Sequence, residues 1–328
     1  MSTLVLATDH AWSVLDVAYL VGGILFLYLG AELLVKSASK LAVGFGVNPA
    51  TVGVTVIAFA TTAPELFVSM VGGIGIGDDI GLGNILGSNI ANIGLVLGAS
   101  ALVRPMSVDK DVLKKHGPFM FVAAVLLVVL GLDGSLSALD GAMMLALLAG
   151  FTGYLLYDSR KGDAAAAITE DVDVDRDESS SLRDAVILLG AGAFLLGGSM
   201  GLLEGSTNLL RAYGFSNLFI ALTVIAFGTS LPELATSVVS AFRGEAEFSI
   251  GNVIGSNIYN VLAVIGLLAI VNPLTVKTSV QSFHFPVLLG FTVAAIALMA
   301  ASRRISRANG VLLLAGYAAF IYFLFPEL

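Results

Sequence analysis

The sequence predicts an all-α, polytopic membrane protein with ten transmembrane helices arranged as two inverted five-helix repeats. Three observations predict it. Of 328 residues, 57 % are hydrophobic and 12 % charged, whereas a soluble domain carries about 25 % charge. Ten apolar runs approach the roughly 20 residues that cross a bilayer core of about 30 Å. The chain also repeats itself at an offset of 168 residues.

The runs, in order, are Val17–Ala31, Leu41–Pro64, Ile80–Val103, Gly117–Leu132 and Gly141–Tyr157, then Ala185–Leu203, Ala212–Pro232, Phe248–Val276, Thr278–Ser302 and Ala308–Pro326. They are continuous and do not alternate apolar with polar, which excludes a β-barrel. Lipid offers the backbone no hydrogen-bond partner, so the remaining solution is a helix bundle. No Lys or Arg precedes Lys36. A cleaved signal peptide needs a basic start, so the first run is expected to be a retained span.

Basic residues orient the chain. With both termini outside, fourteen of the sixteen Lys and Arg residues fall in or beside inside loops, and only Arg211 and Lys277 fall outside. That bias supports the span count and the orientation together. Residues 13–157 then form the first repeat and 184–328 the second. Between them lies an acidic cytoplasmic linker, 158–183. Asp158–Asp184 holds nine acids and four bases and reads as a solvated connector. A Ca2+-binding loop starting at Asp171 would need Gly at position six and Glu at position twelve. Arg176 and Leu182 stand there.

The duplication is direct. Thr55–Val71 and Thr223–Val239 agree at 11 of 17 positions, and Gly83–Leu97 and Gly251–Ile265 at 8 of 15, both without gaps. Five spans per half is an odd number, so the halves enter the membrane from opposite sides. Inverted repeats are a transporter architecture.

The repeated segments also break the hydrophobic rule. Glu65 and Glu233 sit deep in otherwise uncharged runs, with no base within ten and nine residues respectively. A lone carboxylate there costs at least about 2.5 kcal/mol, so each is expected to face a cation or a cavity. Pro64 and Pro232 precede them and remove one backbone donor each. The carbonyls of Ala60 and Gly228 should therefore lose their helical partners and turn inward. Thr61, Thr62, Thr229 and Ser230 add hydroxyls within a turn. Ser88 and Asn92 share one helical face, as do Ser256 and Asn260. Gly83, Gly87, Gly251 and Gly255 permit close helix approach. Carboxylate, hydroxyl, amide and carbonyl oxygens together suit hard cations such as Ca2+ and Na+.

These segments resemble the cation/calcium exchanger family, in its sodium/calcium exchanger branch of prokaryotic type. The carrying residues are Gly228–Glu233 and Gly251–Ile258, with first-half copies Ala60–Glu65 and Gly83–Ile90. The resemblance covers the chain from first span to last. It implies ten helices in two inverted halves and Na+/Ca2+ antiport by alternating access. It implies that the ions are held midway by the side chains of Thr61, Thr62, Glu65, Ser88, Asn92, Thr229, Ser230, Glu233, Ser256 and Asn260. The backbone carbonyls of Ala58 and Ala226 would join them. Ca2+ and Na+ are cargo, and no resident cofactor or obligatory protein partner is evident. Two departures stand out. Asn260 stands where many sodium/calcium exchangers carry Asp, and Thr62-Ala63 replaces the more usual Ser-Leu. Two carboxylates still balance one Ca2+. The family's proton-coupled branch carries a Glu within the Gly-Asn segment. This chain has none there, which favours Na+ over H+ coupling, with H+/Ca2+ antiport as the alternative.

Other signals are weaker. The absence of cysteine excludes disulfides, Fe–S clusters and Cys nucleophiles. The net charge of −8 argues against nucleic acid. Gly75-Ile76-Gly77-Asp78 matches the Gly-x-Gly-Asp of intramembrane aspartyl proteases, and Tyr157-Asp158 supplies a Tyr-Asp. The two motifs come in reverse order, however, and both lie at span ends. Glu32 and Lys36, four apart, predict an interfacial ion pair. His116 reads as an interface residue. A cation channel could share the polar core but would have no need of inverted copies.

Overall fold

The computed structural model describes residues 13–45, 47–75, 78–159, 181–213 and 228–324. The linker residues 160–180 and Ala226 lie outside them. Among the described residues the chain is almost wholly helical. The first half holds α1 (Val14–Phe45), α2 (49–75), α3 (78–103), α4 (112–130) and α5 (Ala138–Ser159). The second holds α6 (Ser181–Ala212), α7 (Leu231–Arg243), α8 (246–271), α9 (280–302) and α10 (Arg307–Leu324). Eight of these, all but α2 and α7, include stretches long and apolar enough to cross a membrane. This is a multi-pass membrane fold.

The duplication extends to backbone detail. α3 consists of Asp78–Ala91, a π-helical turn Asn92–Leu97 and Gly98–Val103. α8 consists of Ala246–Tyr259, a π-helical turn Asn260–Ile265 and Gly266–Val271, each displaced by the same 168 residues. α4 and α9 open on twin π turns, Val112–His116 and Val280–His284. Four two-residue strands tie the helix ends. β1 (Met106–Ser107) pairs with β4 (Arg304–Ile305), and β2 (Ser135–Leu136) pairs with β3 (Leu274–Thr275), both antiparallel. β1 and β3 are twins in sequence, yet each pairs with a different loop of the other half.

Short polar motifs start the helices. Ser13 and Asp16 cap α1 reciprocally: Ser13 Oγ donates to Asp16 Oδ2 at 2.9 Å, and Asp16 N to Ser13 Oγ at 3.2 Å. Ser137 with Asp140, and Ser306 with Asn309, do the same for α5 and α10. This is the capping-box arrangement with a shorter acid or amide. Asn48 accepts from Ala50 N at 2.7 Å and Pro49 opens α2.

These caps move two span boundaries. The run Val17–Ala31 is the apolar part of a helix that continues to Phe45, so Leu41 lies inside α1 and does not begin α2. Helix length and apolar length differ here because Glu32, Lys36 and Lys40 are good helix formers. Glu32 pairs with Arg243 of α7 at 3.2 Å, in place of the Lys36 partner that sequence spacing suggested.

α3 and α8 form the centre. In each, 78 % of the spanning window is buried, against 17–39 % for the other six spans. Lipid supplies no hydrophobic drive between helices, so close backbone packing does the work. A Cβ at Gly251 would lie 2.8 Å from the Ala50 carbonyl oxygen, which fixes how near α8 comes to α2. A Cβ at Gly23 would lie 2.6 Å from Leu202 N, and Gly23 and Gly198 face each other where α1 crosses α6.

Candidate ion-binding core

Glu65 on α2 and Glu233 on α7 meet inside the protein, both fully buried. Among the described residues no basic side chain pairs with either; the hydroxyls of Thr61 and Ser256 face Glu233, and Glu65 has no hydroxyl or amide donor in bonding range. Two like charges facing each other in a low-dielectric interior repel. A cation between them reverses the sign. The neighbours supply oxygens with nothing else to bind. Thr62 Oγ1, Ser88 Oγ, Ser230 Oγ, Asn92 Oδ1 and Asn260 Oδ1 are buried and have no protein partner. Buried polar atoms are normally paired, which makes these residues candidates for a ligand site.

Other predicted residues are held by bonds across the two halves. Thr61 Oγ1 donates to Asn252 Oδ1 at 3.0 Å and lies 3.4 Å from Ser256 Oγ. Thr229 Oγ1 lies 3.5 Å from Asn84 Oδ1, the symmetry counterpart of the first contact. Asn260 Nδ2 donates to Asn89 Oδ1 at 3.1 Å. The Ala58 carbonyl accepts from Thr61 Oγ1 at 3.2 Å within its own helix.

The expected breaks at proline are realised unequally. Ala58–Gly75 is one α-helix through Pro64, so the first copy is not interrupted where predicted. A single missing donor is tolerated when the turns on both sides stay bonded and other helices pack around them. In the second copy Thr229 and Ser230 form a turn after the helical Gly228, with Ser230 at φ −86°, ψ 5°, and α7 starts at Leu231. There the freed Gly228 carbonyl does not turn toward the carboxylates. It accepts a 2.7 Å bond from Ser199 Oγ of α6.

The protein-family model for "Sodium/calcium exchanger protein" matches residues 15–157 and 184–325. The chain belongs to the sodium/calcium exchanger family. It is 33 % identical over 321 residues to the inner membrane protein YrbG of Escherichia coli (strain K12), covering 96 % of this chain and 99 % of that protein. It is 31 % identical to the sodium/calcium exchanger MaX1 of Methanosarcina acetivorans, covering 92 % and 96 %. Among solved structures it resembles the sodium-calcium exchanger NCX_Mj, with a TM-score of 0.82 at 30 % identity over 95 % of this chain and 99 % of that one.

Within the exchanger fold, the residues that sequence reasoning passed over are Asn84 and Asn252. Asn84 Nδ2 donates to Ser69 Oγ and Asn252 Nδ2 to Ser237 Oγ, each at 3.0 Å. All four recur at the 168-residue offset, which was the available signal. The bonds orient the amide oxygens toward Thr229 and Thr61. Elsewhere, Asp158, half of the Tyr-Asp pair, is an ion-pair partner of Lys115, which Asp111 also meets at 3.1 Å. His116 is fully buried within the protein, edge-on to Phe151 with ring centroids 6.5 Å apart.

Proposed function

We propose that this exchanger-family protein is a secondary-active antiporter moving Na+ against Ca2+ by alternating access. Ca2+ and Na+ are cargo, and no resident cofactor is required. The observation that carries the reading is the pair of buried carboxylates Glu65 and Glu233 at twin positions, with no basic partner among the described residues. Two negative charges and a shell of neutral oxygens match one Ca2+ or two Na+. Thr61, Thr62, Ser88, Asn92, Thr229, Ser230, Ser256 and Asn260 complete the ligand set on this reading, with the carbonyls of Ala58 and Ala226. MaX1 is named a sodium/calcium exchanger, and NCX_Mj was solved after soaks with Na+ and Ca2+. Both relations favour the same cargo here.

The architecture on this proposal is ten helices in two inverted halves, 13–157 and 184–328, joined by a cytoplasmic linker, with both termini outside. The strand pairing supports inversion. β1 and β2 stand at opposite ends of α4, and β3 and β4 at opposite ends of α9. Because β1 meets β4 and β2 meets β3, the twin loops β1 and β3 lie at opposite ends of the molecule. Inverted halves supply two states of similar energy, one open to each side.

The test uses purified protein in sealed vesicles. An imposed Na+ gradient should drive Ca2+ uptake against its own gradient. Uptake driven only by a pH gradient would reassign the coupling ion to H+. Downhill flux with no coupling would make the protein a channel.

A further inference from the structure

Between α3 and α4, between α7 and α8, and between α9 and α10, three turns meet around a cavity of about 360 Å³. Arg104 and Arg304 line it, beside Pro105, Ser107 and Gly244. Gly244 adopts φ +87°, and a Cβ there would lie 2.6 Å from Arg104 Nη1. The αL glycine therefore serves two purposes: it ends α7 and clears space for the Arg104 side chain. Arg104 Nη1 donates to the Phe242 carbonyl at 3.4 Å, which uses one of its five donors. Arg304 is held opposite Ser107 by the β1–β4 ladder.

The internal duplication supplies a control. The same turns exist at the other end, where β2 pairs with β3. Asn272 occupies the place of Arg104 at the 168-residue offset, and Ser135, paired with Thr275 as Arg304 is with Ser107, that of Arg304. Neither turn needs arginine in order to form. Arg303 makes the point again. It sits in the left-handed region at φ +49°, where its counterpart is Gly134 at φ +91°. Glycine adopts that conformation without strain and arginine does not. Lodging three arginines at one end therefore goes beyond what the fold asks. A rule for topology accounts for which side they occupy, but not for two of them converging on a concavity.

Two arginines in the lining of one pocket suit a phosphate-bearing anion, to which a guanidinium can donate in bidentate fashion. Glu245, which follows Gly244 in the chain, is already occupied. Glu245 lies 3.7 Å from Arg243 and accepts from Ser39 at 3.3 Å. Burial raises its carboxyl above the usual range, partly offset by Arg243. We infer that the cavity lined by Arg104 and Arg304 binds a phosphate-bearing anion, an anionic lipid head group or a soluble phosphate. Such an anion would clamp the α7–α8 turn, next to the Glu233 helix, to the α3–α4 and α9–α10 loops. The site is separate from the ion core and does not depend on which cations are carried.

The experiment is thermal unfolding of the purified full-length protein in detergent. It is titrated with short-chain phosphatidylglycerol, with phosphatidylcholine of equal chain length, and with inorganic phosphate. Phosphatidylglycerol should raise the midpoint by about 3 °C or more, and phosphatidylcholine should not. If inorganic phosphate saturates the effect and leaves nothing for the lipid to add, the ligand is soluble phosphate. The variant Arg104→Asn/Arg304→Ser copies the residues of the other end and should need at least about tenfold more ligand. Arg304→Ser alone is the reserve variant should the double change unfold the protein, and should weaken the shift severalfold. Arg303→Gly removes a neighbouring charge that does not line the pocket, and should keep the shift. Equal shifts by both lipids, no shift by any ligand, or a shift that survives loss of the two arginines would overturn the proposal. So would an Arg303→Gly variant that loses as much as the double variant, since bulk charge would then suffice.

Discussion

Around Glu65 the chain is a continuous helix from Ala58 to Gly75; around Glu233 a turn at Thr229 and Ser230 precedes α7, which starts at Leu231. The residue types are twins, Thr-Thr-Ala-Pro-Glu against Thr-Ser-Leu-Pro-Glu, but their surroundings are not. Gly228 finds Ser199 as a donor for its carbonyl, whereas the position equivalent to Ser199 in the first half is Ala31. Asn260 is bonded to Asn89, while neither end of the Asn92 amide has a partner. Duplication therefore preserves the chemistry of a site more faithfully than its geometry. On the proposed alternating-access reading this difference has a use. If each half adopts both geometries in turn, the asymmetry is one state and its mirror is the other.

The largest effect should come from the carboxylates, where the two copies are most alike. Glu65→Gln and Glu233→Gln are each expected to cut Na+-driven Ca2+ uptake at least about a hundredfold. Each removes half the charge facing a divalent ion in a low dielectric. Both variants should remain folded, because neither carboxylate pairs with a basic side chain among the described residues and glutamine keeps the size of the side chain. Ordinary uptake by either purified variant would break the equivalence of the two halves and the site with it.

Next come the orienting amides. Asn252→Ala removes the acceptor for Thr61 and the donor to Ser237, and Asn84→Ala does the same for Thr229 and Ser69. A fall in exchange of about tenfold is expected for each, with a stability loss of about 1–3 kcal/mol from the stranded polar groups. The second-half amide should matter more, since its bond to Thr61 is the shorter. Equal losses, read from uptake rates and unfolding midpoints, would remove that distinction.

A subtler change sharpens the contrast between Asn260 and Asn92. Asn260→Asp puts a carboxylate opposite Asn89, whose amide can turn to present its unpartnered Nδ2. The fold should therefore lose less than about 1 kcal/mol. A third carboxylate in the core favours protonation of the cluster as a unit. Exchange by this variant should then fall away at higher pH than in the parent as the medium is acidified. Superimposable pH profiles at matched ion gradients would mean that position 260 does not face the ions.

Ser199→Ala should have the smallest effect. It leaves the Gly228 carbonyl without its donor and should lower stability by about 1–2 kcal/mol, with exchange reduced but present. An unchanged unfolding midpoint would show that the second-half break does not depend on α6.

Much of this was legible in the residues alone. The membrane class follows from composition, because a chain so poor in charge has nothing with which to cover a watery surface. The polar core was legible because a carboxylate in an apolar run is costly, and its recurrence 168 residues later makes coincidence untenable. The relay through Asn84 and Asn252 was written at the same offset, but an amide announces no partner. Which of its bonds forms depends on a helix far away in sequence. Helix ends were misjudged for a related reason. Hydropathy measures how long a segment stays apolar, while α1 stops where its hydrogen bonds stop, beyond Lys40.

What sequence by itself determined, then, is chemistry and period: which atoms are donors or acceptors, and which segments repeat. What only the tertiary structure decided is how identical segments come to differ. Pro64 lies inside a helix and Pro232 opens one because each segment packs against different neighbours. Glu32 meets Arg243 and not Lys36 because α1 passes beside α7. Arg104 and Arg304, far apart in the chain, line one cavity because two-residue strands join their loops. Hydrogen bonds and ion pairs reach only a few ångströms, so partners are chosen by packing, and packing is a property of the whole chain.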